Sequence, residues 1–248
     1  MDGVSKSYTG RHGPYAVLDG IHLDVPLGAM VALLGPSGAG KSTFLNILAG
    51  LERPDRGAVR FPGREGARPP IAYMQQKDLL LPWRTVWDNI LLGPELRSAD
   101  ERARLVPEAA AWLERMHLAE FREAYPAQLS GGMRQRAALI RTMLCEQDIL
   151  LLDEPFGAVD ALTRRRLQRI LLEIWERLGL TIVLVTHDVD EALLLATRIV
   201  LFSSRPGRVV ERIDVALPHR GRAQSPDMLR LKMRILDALE SSDAAERA

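Results

Sequence analysis

Gly35-Pro36-Ser37-Gly38-Ala39-Gly40-Lys41-Ser42-Thr43 decides how this 248-residue chain folds. Its Gly-x4-Gly-Lys-Ser spacing matches the phosphate-cradling loop pattern without a mismatch. Met30–Leu34 before it is an apolar run of strand length, and residues 42–50 after it carry apolar side chains at 44, 45, 47, 48 and 49. The spacing predicts a buried strand, a tight turn and a helix that stops at Gly50. Glycines let successive backbone N–H groups face an anion, and the helix dipole adds to their pull. Lys41 is expected to reach the β- and γ-phosphates of a nucleotide, and the Ser42 hydroxyl to ligate Mg²⁺.

A second apolar run, Ile149-Leu150-Leu151-Leu152, delivers Asp153-Glu154 to a strand end. Ligands of open α/β sheets gather at that edge. Asp153 is expected to hold Mg²⁺ through its water shell, because Mg²⁺ dehydrates reluctantly. Glu154 points elsewhere and is the candidate base for an attacking water. A third run, residues 181–186, ends at His187-Asp188. His187 could hydrogen-bond a γ-phosphate or simply support the structure, and its position after a strand leaves both open. The histidines at 12, 22, 117 and 219 show no metal-ligand spacing.

Between these motifs lies Leu129-Ser130-Gly131-Gly132-Met133. With this stretch in place, the chain resembles the ATP-binding subunits of ABC transporters from about Val4 to about Arg212. The resemblance implies an α/β fold: a P-loop NTPase (RecA-like) core with an inserted helical subdomain, about 77–147, and a small antiparallel β subdomain. It makes Tyr8 the residue that stacks on adenine, and adds Gly35, Pro36, Ser37, Gly38, Ala39, Gly40 and Thr43 to Lys41 and Ser42 around the phosphates. Gln76 becomes the glutamine that contacts Mg²⁺ or water and relays to a membrane subunit; its spacing to Pro82 favours it over Gln75. Ser130, Gly131 and Gly132 are expected at the γ-phosphate of an ATP held by a second copy, in a head-to-tail dimer. Asp160 links the two sites, and His187 becomes the γ-phosphate sensor. The implied partners are integral membrane permease subunits and, indirectly, an extracytoplasmic solute-binding protein. The implied location is peripheral, on the cytoplasmic face of the inner membrane.

Three positions depart from the family pattern. Met133 replaces a frequent glutamine, Gly157 stands where many members have serine, and only seven residues precede Tyr8. Either the first edge strand is short here, or the true start lies upstream. The stretch Tyr73-Met74-Gln75-Gln76-Lys77-Asp78-Leu79-Leu80-Leu81-Pro82-Trp83-Arg84-Thr85-Val86 resembles the nitrate, sulfonate and taurine importers and their thiamine-precursor relatives. Ser204-Arg205-Pro206-Gly207-Arg208 fits the same branch. The two tryptophans at 83 and 87 are either core anchors of a Pro-broken loop or the wall of a groove for a permease helix.

Composition fits one soluble globular unit: 47% of residues are apolar and the formal net charge is +1. That charge provides no basic field for nucleic acid. No apolar stretch reaches the roughly 18 residues of a membrane span, and residues 191–198 read as a buried helix. There is no leader pattern, so export is not expected. Cys145 is alone, which excludes an internal disulfide and a cysteine zinc cluster; it reads as a buried thiol on the helix after the signature. Arg164-Arg165-Arg166 reads as a solvated helix face. Strands are expected at 16–25, 30–34, 58–61, 71–74, 149–153, 182–186 and 199–202, with helices at 99–116, 134–144 and 226–239. Pro126 is expected to end the helix before the signature. The alternative function is a soluble ABC ATPase acting on ribosomes or DNA, although such proteins usually carry paired cassettes, coiled-coil insertions or basic tails.

Overall fold

The computed structural model describes residues 1–11, 13–61, 68–219 and 221–247, with side chains up to Ser241. Along the chain come β1 (Asp2–Gly10), β2 (Gly13–Ile21), β3 (Met30–Leu34), α1 (Lys41–Ala49), β4 (Arg56–Ala58) and β5 (Ile71–Met74). Helices α2 (Val86–Ile90), α3 (Leu92–Arg97), α4 (Ala99–Arg115) and α5 (Gly131–Met143) follow, then β6 (Ile149–Asp153) and α6 (Ala161–Leu178). The last elements are β7 (Thr181–Val185), α7 (Val189–Leu195), β8 (Arg198–Phe202), β9 (Val209–Asp214) and α8 (Pro226–Arg247). The chain divides into two compact units: Met1–Pro69 with Gly179–Ala248, and Pro70–Leu178.

In the first unit β3 is buried at every residue and lies parallel to both β7 and β8. A strand covered on both faces reads as an unbroken apolar run, which is what Met-Val-Ala-Leu-Leu is. β9 closes one edge antiparallel to β8. A separate sheet of order β2-β1-β4 is antiparallel throughout. Ala32, Leu34, Ala192, Leu193, Ile199, Leu201 and Ile235 form one core that fixes α7 and α8 against β3 and β8. Glu191, Ala192, Leu193 and Leu195 are buried in α7, but the helix expected over 191–198 ends at Leu195, and Arg198 already opens β8.

In the second unit β5 and β6 pair in parallel, with Met74 opposite Leu152. The segment from Val86 to Met143 contains only helices and turns. Ser98 caps α4 by accepting from Glu101 N at 3.0 Å, and Leu105, Ala109, Trp112 and Leu113 make its buried stripe at helical spacing.

Several expectations are corrected. The first strand, β1, has nine residues and lies between β2 and β4 rather than at an edge. β4 ends at Ala58 rather than 61, and β2 ends at Ile21 rather than 25. β9 was missed because Val209-Val210-Glu211-Arg212-Ile213-Asp214 is an edge strand whose charges face solvent and hide its alternation. α8 continues through the polar end to Arg247. Pro126 ends no helix; it opens the one-turn 3₁₀ segment Pro126–Gln128, where its fixed φ suits a first helical position. Cys145 lies beyond the end of α5 and is half-buried, with Sγ 3.4 Å from Arg141 O.

Candidate functional site

The first unit carries the phosphate cradle. β3 ends at the carboxyl edge of the sheet, and the chain turns through Gly35 to Gly40 into α1. Gly40 caps α1 with φ 84°, and a Cβ there would stand 2.7 Å from Leu18 Cδ2 and 2.9 Å from Val17 O. A side chain is therefore excluded both by backbone conformation and by space. The first turn of α1 holds no acidic residue, so its N–H groups and dipole are not neutralised from within the helix. Ser37, Gly38 and Ser42 are exposed, Thr43 is half-buried and Ala39 is buried. Lys41 is only 7% exposed, and its Nζ donates to Gly35 O at 2.7 Å and Pro36 O at 2.8 Å. Those bonds fold the ammonium over the loop, where a phosphate oxygen could take their place.

His187 stands exposed two residues past β7. The parallel register pairs Leu33 with Val185, and Thr186 N donates to Leu33 O at 3.2 Å. The end of β7 is thus brought to the edge from which the cradle springs. Asp188 caps α7 by accepting from Glu191 N at 3.1 Å.

Tyr8 on β1 is half-buried and donates its hydroxyl to Glu52. Burial, then that hydrogen bond, pushes its phenol above the usual tyrosine range. Its cross-strand partner is Tyr15, with ring centroids 6.2 Å apart and Arg205 5.0 Å over the Tyr15 ring. The sequence reading missed Tyr15. The hairpin spacing between Gly10 and Gly13 was the signal, since it sets Tyr15 opposite Tyr8.

The second unit carries the carboxylates. Asp153 closes β6 and is 3% exposed. Glu154 follows with φ 48°, a left-handed conformation that costs a non-glycine residue about 1–3 kcal/mol. Gln135 Nε2 and Gly157 N both donate to Glu154 O, at 2.9 and 3.2 Å, and hold it there. Gln76 Nε2 donates to Glu154 Oε2 at 3.3 Å, so it is Gln76 that meets this carboxylate. Gln135 was another unforeseen member of the site: it is buried in α5, and its reach to Glu154 is set by tertiary packing.

Ser130 caps α5, its Oγ accepting from Met133 N at 3.3 Å, which leaves the hydroxyl proton free to donate. Ser130 and Gly131 are exposed. A Cβ on Gly132 would stand 3.1 Å from Ala158 O, whereas one on Gly131 would meet nothing closer than 3.9 Å. The second glycine is therefore the more tightly confined of the two. Asp160 accepts from Leu162 N at 3.1 Å and Thr163 N at 3.0 Å, so it caps the start of α6, a job its sequence position did not announce. Those bonds, with Thr163 foremost, hold its carboxyl below the usual aspartate range. Downstream of Gln76, Trp83 is 71% exposed, while Trp87 is buried under Arg122, whose guanidinium lies 3.6 Å from its ring centroid. Of the two readings of this pair, the exposed wall fits Trp83 and the core anchor fits Trp87.

No cluster of three or more metal-ligating side chains occurs among the described residues. Mg²⁺ keeps waters and phosphate oxygens and needs only one or two protein oxygens; the Ser42 hydroxyl of the first unit and the Asp153 carboxylate of the second are each donors of that kind. No described helix is long and apolar enough to cross a membrane.

The ABC transporter family profile matches residues 18–157. The taurine import ATP-binding protein TauB of Pseudomonas aeruginosa is 41% identical, over 100% of this chain and 97% of its own length. The aliphatic sulfonates import ATP-binding protein SsuB 1 of Streptomyces avermitilis is 45% identical, over 100% of this chain and 88% of its own. Among solved structures, the dimeric post-hydrolysis state of the ATP-binding cassette MJ0796, bound to ADP and Pi, superposes with a TM-score of 0.78. It is 29% identical, over 88% of this chain and 98% of that one. The P-loop of β3 and α1, the parallel strands, the antiparallel sheet and the helical stretch are those of an ATPase cassette, and this chain belongs to the ABC transporter family.

Proposed function

We propose that this chain is the ATP-binding and ATP-hydrolysing subunit of an importer, energising uptake of a small solute through a separate permease. The observation that carries the reading is the exposed Ser130 cap on α5, the signature that a simple phosphate-loop enzyme lacks, in a chain aligned end to end with import ATP-binding proteins. Relatives named for taurine and aliphatic sulfonates support an organic sulfonate as the solute. This chain meets ATP, and selection of the solute falls to the permease and an extracytoplasmic binding protein.

The reaction follows from the residues. The loop from Gly35 to Thr43 binds the phosphates, and Lys41 exchanges its carbonyl partners for β- and γ-phosphate oxygens. Ser42, Asp153 and Gln76 would serve as oxygen donors to Mg²⁺ or its waters, and the ion would supply neutralisation of the phosphate charge. Gln76 donates to Oε2 of Glu154, and the Glu154 carboxylate accepts the proton of an attacking water. Tyr8 stacks on the adenine. Ser130, Gly131 and Gly132 of one copy reach the γ-phosphate on the other, so ATP closes a head-to-tail dimer. Asp160 links the two sites across the dimer, and His187 senses the loss of that phosphate. The exposed Trp83 loop receives the permease at the cytoplasmic face of the membrane.

Affinity purification of Glu154→Gln from native membranes with Mg-ATP tests this. A co-purifying multi-span permease supports the reading. Ribosomal or DNA-repair proteins without a permease would overturn the transport claim in favour of a soluble ABC ATPase.

A further inference from the structure

Two arginines on α5 tie the permease-facing loop to the signature. Arg134 and Arg141 are seven residues apart, two helical turns, and so share a face. Arg141 donates through Nη1 to Leu79 O at 2.7 Å and through Nη2 to Asp78 O at 2.6 Å. Leu79 sits at φ 47°, so these bonds hold a backbone that would otherwise relax. Arg134 does something different. Its Nε donates to Asp78 Oδ2 at 3.0 Å while its Nη1 donates to Leu129 O at 2.7 Å, the carbonyl directly before Ser130. Asp78 in turn accepts from Leu80 N at 3.2 Å through its other oxygen. One guanidinium therefore grips both the loop that carries Leu79 and Trp83 and the residue that sets Ser130.

We propose that Asp78 and Arg134 are positioning residues that pass the setting of the 78–85 loop to Ser130, so that permease engagement governs closure of the signature on ATP. The pair touches no nucleotide atom in this scheme; it acts through Leu129. Arg141 anchors the loop to α5 independently, so loss of Arg134 should leave the fold intact and remove only the link between Asp78 and Leu129. The inference rests on the ATP-closed dimer proposed above.

The test uses the full chain in the Glu154→Gln background, with dimer formation followed by sedimentation velocity across a Mg-ATP titration. Asp78→Asn and Arg134→Gln are each expected to raise the half-maximal Mg-ATP concentration about tenfold, the equivalent of one charge-assisted hydrogen bond. ADP affinity by calorimetry, which needs no signature contact, is expected to stay within about twofold. The double variant should shift no further than either single one, because both remove the same link. Parent-like dimerisation by Arg134→Gln, or additive shifts in the double variant, overturns the inference and leaves the functional reading standing. A Glu154→Gln parent that stays monomeric in Mg-ATP overturns both. Should Arg134→Gln not fold, Arg134→Lys carries the test, since one ammonium cannot span both acceptors. A shift with Lys supports the link, and parent-like dimerisation again overturns it.

Discussion

Replacing Asn89 by alanine should cost the second unit far more than a loop-side polar residue normally would. Asn89 is fully buried in α2. Its Oδ1 accepts from Leu81 N at 2.7 Å, and its Nδ2 donates to Leu81 O, Arg84 O and Thr85 O at 3.1, 3.1 and 2.9 Å. A single amide thus closes the loop that holds Trp83 outward. Alanine strands the Leu81 N–H, at about 1–3 kcal/mol, and forfeits two amide bonds at about 0.5–1.5 kcal/mol each. Water reaching the freed carbonyls offsets part of that, so the expected loss is about 3 kcal/mol. For a chain of this size that corresponds to a fall in Tm of about 6–12 °C. The assay is urea denaturation followed by tryptophan fluorescence, with the m-value checked for constancy. Asn89→Asp is the discriminating comparator: it keeps the acceptor for Leu81 N but presents a charge to three carbonyls, and should be at least as damaging. A loss below about 1 kcal/mol in Asn89→Ala, or a stable Asn89→Asp, would refute the loop-clasp reasoning.

Other consequences can be measured on the same protein. Glu154→Gln should slow ATP turnover by about 10²–10⁴-fold while ATP binding persists; undiminished turnover removes Glu154 as the base. Gly40→Ala forces a left-handed alanine, at about 1–2 kcal/mol before the contact with Leu18 is counted, so nucleotide affinity and thermal midpoint should fall together. Tyr8→Ala should raise KM for ATP several-fold with kcat little changed, and Tyr15→Ala should do so more weakly; an unchanged KM in Tyr8→Ala argues against stacking. Burial pushes the Cys145 thiol up, so at pH 8 its alkylation should run at least about tenfold slower than that of a free thiol and accelerate only at more alkaline pH. Fast labelling at pH 8 would mean that the end of α5 opens readily.

What could be read from the sequence was whatever is local in the chain. The Met30–Leu34 run, the glycines of the loop and the apolar spacing of 44 to 48 specify strand, turn and helix within a few residues of one another, because backbone conformation and burial period act over that range. The Ile149–Asp153 run and the Ser130 helix start are equally local, and all lie where expected. The role of Ser130 came from the family pattern. Only tertiary structure decided which distant groups meet. Spacing to Pro82 favours Gln76 over Gln75, but Gln76 and Glu154 are 78 residues apart, and the parallel pairing of β5 with β6 is what brings them together. Tyr15 joins Tyr8 because a hairpin folds it there. Trp83 and Trp87 have the same side chain and opposite fates, exposed and buried, because Asn89 and Arg122 close the loop around one and leave the other in solvent. Asn89, Gln135 and Arg134 look unremarkable in the sequence: a polar residue acquires its meaning from the buried donors and acceptors it satisfies, and these are assembled only when the chain has packed.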